Sequence, residues 1–339
     1  MHASPLRGCP VRRRPTASLA TPYGRGMAAQ FSVDAAVSQA WAAVAHGARL
    51  SSQILQSVGD PVPRSNFAEL NAVYPHEKAS DWHRAYLGAA LEHLLMWADF
   101  VAPLKFHPEQ VVMHTFRPAY TLGRAALEAA SQAVWMTAGS TARECSRRHL
   151  SLIRWDYVEH RKSVPGQEAK GRVEERDATL LKRASGVFAE ADLRPPNHYT
   201  VLRAAAPVLG RNPDEVERIW RAASGSAHGR VWPSLSLQHV FPLTEYEPGQ
   251  FRTLRIPDTD GMTEVLKAAE QMLSYGVLRH ADFCGADIPA LIDDARLWLA
   301  SVVPFREDAD PEVVAHLRRR DAAASRRSPG TSDGSDGER

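Results

Sequence analysis

Two groups of polar residues sit in helix-forming, small-residue surroundings, and their types suit proton and phosphate chemistry. Arg124 and Glu128 stand four apart in an alanine-rich run, so on a helix they share one face. The string WRAASGSAHG at 220–229 holds Arg221, Ser224 and His228 at i, i+3 and i+7. On a helix that runs to its end these three form one stripe. An imidazole titrates near neutrality and moves protons, and a guanidinium offers a planar fork to phosphate oxygens. Ala222, Ala223, Gly225, Ser226 and Ala227 leave that stripe uncrowded, open to a substrate or to a partner's backbone.

A structural role stays open for the same residues. Arg124 and Glu128 would form an ion pair within or between helices, with Arg221 or His228 as cross-helix partners. Such a network would satisfy polar groups and set helix register. Arg147, Arg148, Arg154 and Arg161 run along another helical segment and read as a solvated face rather than an RNA patch. Trp82, Tyr86, Trp97 and Phe100 read as packing residues. His76, Glu77 and His83 lie close together in a loop but lack a second ligand set for a metal.

Helices must position these groups. Residues 34–57 form the first, followed by a Pro- and Asn-rich loop from Gly59 to about Pro75. Leu87, Ala90, Leu91, Leu94, Leu95, Ala98 and Val101 then recur at the spacing of one buried helix face, closed by Pro103. A long helix from Pro118 to Thr137 carries Ala125, Ala126, Ala129, Ala130 and Ala133, a narrow surface that admits a close neighbour. Thr141 and Glu144 read as a reciprocal capping box that launches a helix to about Arg161. A charged surface helix lies within 167–191, with Leu180, Leu181, Val187 and Phe188 as its apolar cluster. A short helix spans 199–209, and Asn212-Pro213-Asp214-Glu215 starts the helix that bears Arg221. Period-two stretches about a Pro-Gly turn predict a β-hairpin over 241–256, and helices follow at 261–282 and 287–302.

Arg221, six intervening residues and His228 resemble the Arg-x(4–6)-His motif of the HEPN superfamily of all-helical domains. The resemblance spans about residues 84–229 and rests on the Arg124–Glu128 helix and the Ser224-to-Gly229 segment. Arg143 to His149 and Arg154 to His160 have the same spacing. The 221–228 pair is preferred for its capped helix, its small neighbours and the glycine that comes after it. Ala222 stands where many active members carry a polar residue, a departure that bears on catalysis more than on fold. The resemblance implies metal-independent RNA cleavage at a homodimer interface, with His228 as general acid/base and Arg221 holding the phosphate. Ser224, Arg124 and Glu128 would support them, in a toxin, defence or stress effector. A catalytically inert helical scaffold that dimerises and binds a protein or small ligand is the alternative.

Composition bounds these readings. The chain has 339 residues, 44% hydrophobic and 24% charged, and a net charge of +2, so a basic binding surface would have to be local. Cys9, Cys145 and Cys284 are too few and too scattered for a disulfide framework or a zinc site, which points to a reduced, cytoplasmic setting. No P-loop, Rossmann glycine fingerprint, GxSxG, HExxH or CxxC occurs, and neither metal nor cofactor is expected. No run of about eighteen apolar residues is present to cross a membrane.

The expected architecture is mainly all-α: one helical domain over 34–303 with a hairpin insertion. Residues 1–33 hold five arginines and no acid, and 304–339 end in a polar, low-complexity tail; both are expected to be disordered. The arginine-rich start is similar in composition to a transit peptide but has no apolar core, and Met27 is an alternative first residue. A chain cut to 34–308 should therefore melt within about 5 °C of the full protein, a difference of roughly a kcal/mol. Calorimetry checks this, and a larger fall assigns the ends a folding role.

Overall fold

Side-chain caps set the helix starts. In the computed structural model, Asp34, Ser65, Thr141, Asn197, Asn212, Asp258 and Asp287 each accept a backbone N–H of the adjoining first turn. The structure describes residues 32–105 and 116–303, with Pro311, Glu312 and Ala315 beyond them. Expectations for residues 1–31 and for the rest of the tail lie outside the described residues.

Eleven α-helices and one two-stranded sheet make up the described chain. In order they are α1 (Ala35–Ser57), α2 (Asn66–Val73), α3 (Ala79–Val101), α4 (Phe116–Thr137), α5 (Ala142–Ser163) and α6 (Gln167–Ala184). Then come α7 (His198–Ala205), α8 (Pro213–Ala227), α9 (Val231–Ser236), the antiparallel strands β1 (Gln238–Glu247) and β2 (Gln250–Pro257), α10 (Thr259–Cys284) and α11 (Ile288–Val302). The protein is mainly helical, as its periodicity predicts.

Helices α1, α3, α4 and α10 pack on one another as the central bundle. Small residues allow the close approach. A Cβ on Gly123 of α4 would lie 3.1 Å from a methyl of Val265 on α10, and one on Gly276 of α10 would lie 2.7 Å from Leu87 on α3. Ala126, Ala130 and Ala133 are fully buried on α4, as are Leu87, Ala90 and Leu94 on α3. Helices α7 and α8 cover another side of α4, and α11 lies on α1. Helices α5 and α6 enclose a second core of Tyr74, Leu150, Ile153, Leu180, Ala184, Phe188 and Leu193.

Four local readings are corrected. Residues 66–73, read as loop, form α2: eight residues are too few to display a period, and Pro61 and Pro63 mask the Ser65 cap. The segment before the hairpin holds the short helix α9, with Pro233 in its first turn where no donor is needed. The capping box at Thr141 is half formed, because the Glu144 carboxylate binds Arg147 and Arg148, each at 2.8 Å. The α5 arginines are only in part a solvated face: Arg161 is exposed, whereas Arg147, Arg148 and Arg154 are half-buried. Arg154 grips Asp177 of α6 with two bonds at 2.7 and 2.9 Å, and Arg161 meets Glu174 at 2.7 Å, so they bind α6 to α5.

Three buried histidines lie in these cores. The Nδ1 atoms of His83 and His280 are 3.2 Å apart between stacked rings, and the Cys284 thiol lies 3.6 Å from His280 Nε2. His149 Nε2 donates to the Glu77 carbonyl at 2.9 Å. Burial lowers all three, to about 4 for His149 and His280 and well below the usual value for His83. Because the folded values lie below the unfolded value of about 6.5, their stabilisation is complete above that pH and lost as pH falls. His149 and His280 should each contribute a loss on the order of 2 kcal/mol between pH 7 and pH 5, and His83 a loss of the same sign. Urea melts across that range check it, and His280→Asn should flatten the slope; a profile level over the window contradicts it.

Candidate functional site

The site lies where the first half of α4 meets the last turn of α8. Arg124 and Glu128 share a face of α4, and Arg124 Nε donates to Glu128 Oε1 at 2.8 Å. Trp220 Nε1, from α8, donates to the same oxygen at 2.6 Å. Arg124 Nη1 stands 3.3 Å from His228 Nε2. A guanidinium only donates, so in this contact Nε2 accepts and the ring proton resides on Nδ1. Arg124 and Glu128 keep 21% and 13% of their side-chain surface exposed, and His228 is open to solvent. Glu128 thus orients the guanidinium from behind while the imidazole stands in front.

Helix α8 ends earlier than the stripe of Arg221, Ser224 and His228 requires. Its last helical residue is Ala227, and His228 is the C-cap with φ −83° and ψ 9°. Gly229, at φ +70°, turns the chain so that the Arg230 N–H reaches the Gly225 carbonyl at 2.9 Å. At this cap the His228 ring meets Arg124, while Arg221 pairs with Glu217. Gly225 leaves room for α9, since a Cβ there would lie 2.9 Å from Pro233.

The structure brings Arg124, Glu128 and His228 together and leaves Arg221 apart. Arg221 is 59% exposed, pairs with Glu217 at 2.7 Å and lies over the Tyr199 and Trp220 rings. Glu217 also binds Arg203 at 2.6 Å, and Arg221, then Arg203, hold its carboxyl below the usual range. Ser224 is half-buried, and its carbonyl accepts the His228 N–H at 3.0 Å.

Two contributors escape a reading of the sequence by spacing. Trp220 was legible only as an indole N–H that needs an acceptor once buried. Arg117, in the first turn of α4, sends Nη1 to the Ser226 carbonyl at 2.6 Å and Nη2 to Ser234 Oγ at 3.3 Å. It satisfies the C-terminus of α8 and so holds the His228 cap in place.

Among the described residues no group of three or more His, Cys, Asp or Glu side chains is placed to hold a metal ion, and no helix is long and apolar enough to cross a membrane. Cys145 and Cys284 are free and buried. Comparison with protein-family models, with curated proteins and with solved structures finds no match to this chain. Its class is therefore defined by fold and site together: a mainly helical protein with an accessible Arg–His pair buttressed by a carboxylate.

Removing the acceptor exposes what holds the pair. Glu128→Ala should destabilise the fold by about 1–3 kcal/mol, because Arg124 and the Trp220 N–H both lose their partner. His228→Ala, at an exposed cap, should change stability by less than about 0.5 kcal/mol. Denaturant melts of the two variants measure the contrast, and equal losses would contradict the geometry.

Proposed function

We propose that this is a HEPN-like helical protein that binds RNA and cleaves it without a metal ion, with His228 and Arg124 at the reacting centre. The observation that carries the reading is the 3.3 Å contact between Arg124 Nη1 and His228 Nε2 on an accessible face. In the free protein the guanidinium occupies the imidazole lone pair. A phosphate oxygen competes for that guanidinium, since a charge-assisted bond to an anion is stronger than one to a neutral ring. Drawn to the phosphate, Arg124 frees Nε2 to take the ribose 2′-hydroxyl proton as that oxygen attacks phosphorus. The bond from phosphorus to the 5′-oxygen breaks, and the leaving 5′-oxygen takes up a proton from the imidazolium or from water. The His228 Nδ1–H then serves as a donor to the phosphate or to water. Glu128 keeps the Arg124 Nε engaged throughout, so only the outer nitrogens move between partners. Arg221 supplies an outer phosphate contact, and Ser224 holds the His228 backbone through its carbonyl. Pairing of two copies and a cytoplasmic setting belong to the same proposal, as does a toxin, defence or stress role.

One observation favours a second reading. Arg221 is already engaged by Glu217 and by two aromatic rings, as a residue that braces α7 against α8 would be. On that reading the face is an inert scaffold that receives a protein or small-ligand partner.

Incubation with total RNA in EDTA separates the two. Cleavage should persist and leave 2′,3′-cyclic phosphate ends. His228→Ala should slow it on the order of a hundredfold or more with an unchanged circular dichroism spectrum. Arg124→Lys should also be impaired, because an ammonium is a single point charge and cannot hold Glu128 with one nitrogen while another meets the phosphate. Arg221→Ala should weaken binding across sequences and reduce the salt slope by about one. Absence of both cleavage and salt-sensitive binding in the native protein leaves the scaffold reading.

A further inference from the structure

A cavity of about 790 Å³ opens between α5, α6 and the turn that joins α2 to α3. Its size suits a small organic molecule. It shares no residue with the Arg124–His228 face, so a ligand bound here does not depend on RNA chemistry there.

One wall is built around Glu77. Tyr157 donates its hydroxyl to Oε1 at 2.6 Å, and Trp82 donates its indole N–H to Oε2 at 3.1 Å. Buried His149 grips the Glu77 carbonyl, which fixes the backbone under that carboxylate. Each side-chain donor is neutral, and among the described residues no Lys, Arg or His forms an ion pair with Glu77. Many other carboxylates that bind side chains in this protein do so with an arginine, as at Glu128, Glu144, Asp177 and Glu217. Glu77 is instead a half-buried carboxylate oriented by aromatic residues at the cavity, with no cationic side chain in direct contact among the described residues. After burial and its own hydrogen bond, the Glu77 charge helps to raise the Tyr157 hydroxyl; after burial it also helps to raise Asp156, against the opposing pull of His160. Aromatic faces beside a carboxylate are the surroundings that recognise an organic cation.

The facing wall comes from α6 and carries three arginines beside one carboxylate, Glu175. Arg176 lines the cavity without a carboxylate at ion-pair distance among the described residues, and Arg183 lines it beside Tyr74. The neighbouring arginine, Arg172, is already held by Glu168 at 2.6 Å.

We propose that this cavity is a binding site for a small zwitterion. Its ammonium or guanidinium group rests on Glu77 among Tyr74, Trp82 and Tyr157, and its anionic group meets Arg176 and Arg183. The two walls demand both charges in one ligand. A single cation would leave the arginines unpaired, and a single anion would meet the field of Glu77. The anion is a carboxylate, as in an amino acid, or a phosphate, as in an aminoalkyl phosphate.

Titration calorimetry on the full chain tests this with four probes at up to about 10 mM: L-lysine, phosphoethanolamine, 1,5-diaminopentane and glutarate. Lysine or phosphoethanolamine should bind more tightly than either probe that carries charge of one sign only, and their order identifies the anion. Glu77→Gln should weaken the zwitterion and the diamine at least tenfold. Arg176→Gln, at an exposed position, should weaken the zwitterion alone. If Glu77→Gln fails to fold, Ala169→Phe, which fills the cavity from α6, should abolish binding while the melting temperature holds. Failure of both zwitterions to bind, binding indifferent to Glu77→Gln and Ala169→Phe, or glutarate binding best would each overturn the assignment.

Discussion

The closeness of α4 to its neighbours is the constraint on which the rest depends. Gly123 brings α4 to within van der Waals contact of Val265 on α10, and fully buried alanines at 126, 130 and 133 keep it slim along its length. Any larger side chain there would push the helices apart, an overpacking that typically costs about 1–3 kcal/mol. With α4 held between α3 and α10, the residues left for its remaining face are determined by helical geometry. Arg124 and Glu128 fall there, and α8 must approach that face with groups that can bind them. Trp220 and His228 do so.

Arginine is the main fastener between elements, and it acts through carbonyls as well as through carboxylates. Arg84 binds the Leu55 and Val58 carbonyls at the end of α1, Arg148 the Trp135 carbonyl near the end of α4, and Arg117 the Ser226 carbonyl near the end of α8. The last carbonyls of a helix lack intrahelical partners and carry the negative end of its dipole, so a guanidinium from a neighbouring helix satisfies them and neutralises that end. The core polar groups are managed differently. His83, His149 and His280 are buried as neutral rings, because burial disfavours their charged form. Several ion pairs lie at the seams between helices, and Arg49, buried on α1 and paired with Asp99, is a charge within a packed face.

The two candidate sites differ in kind. At Arg124 the carboxylate of Glu128 compensates the cation, and reactivity depends on a guanidinium exchanging one acceptor for another. At Glu77 the hydrogen-bond donors are the neutral side chains of Tyr157 and Trp82, and no cation is bonded to it among the described residues. The hairpin β1–β2 stands apart from both. Phe241, Leu243, Tyr246 and Phe251 are between 44% and 55% exposed on it, and nothing in the structure shows what covers them.

Much of the fold was determined by the sequence itself. The periods of α1, α3, α4 and α10, the caps at Thr141 and Asn212 and the alternation of the hairpin are local, and their boundaries fell within a few residues of those read from the chain. Arg124 and Glu128 were legible as a pair because a helix of 3.6 residues per turn places i and i+4 together. The tertiary structure decided which of the two arginines meets His228. Spacing along α8 favoured Arg221, but Gly229 ends the helix at Ala227 and Arg117 secures that end from α4. The ring at that end meets a residue 104 positions earlier in the chain. Glu77 gave no sign of its surroundings either, because Trp82, His149 and Tyr157 converge on it only when α3 and α5 pack together. Local geometry comes from the order of residues, whereas a charge's environment is set by everything folded around it, and chemistry depends on the second.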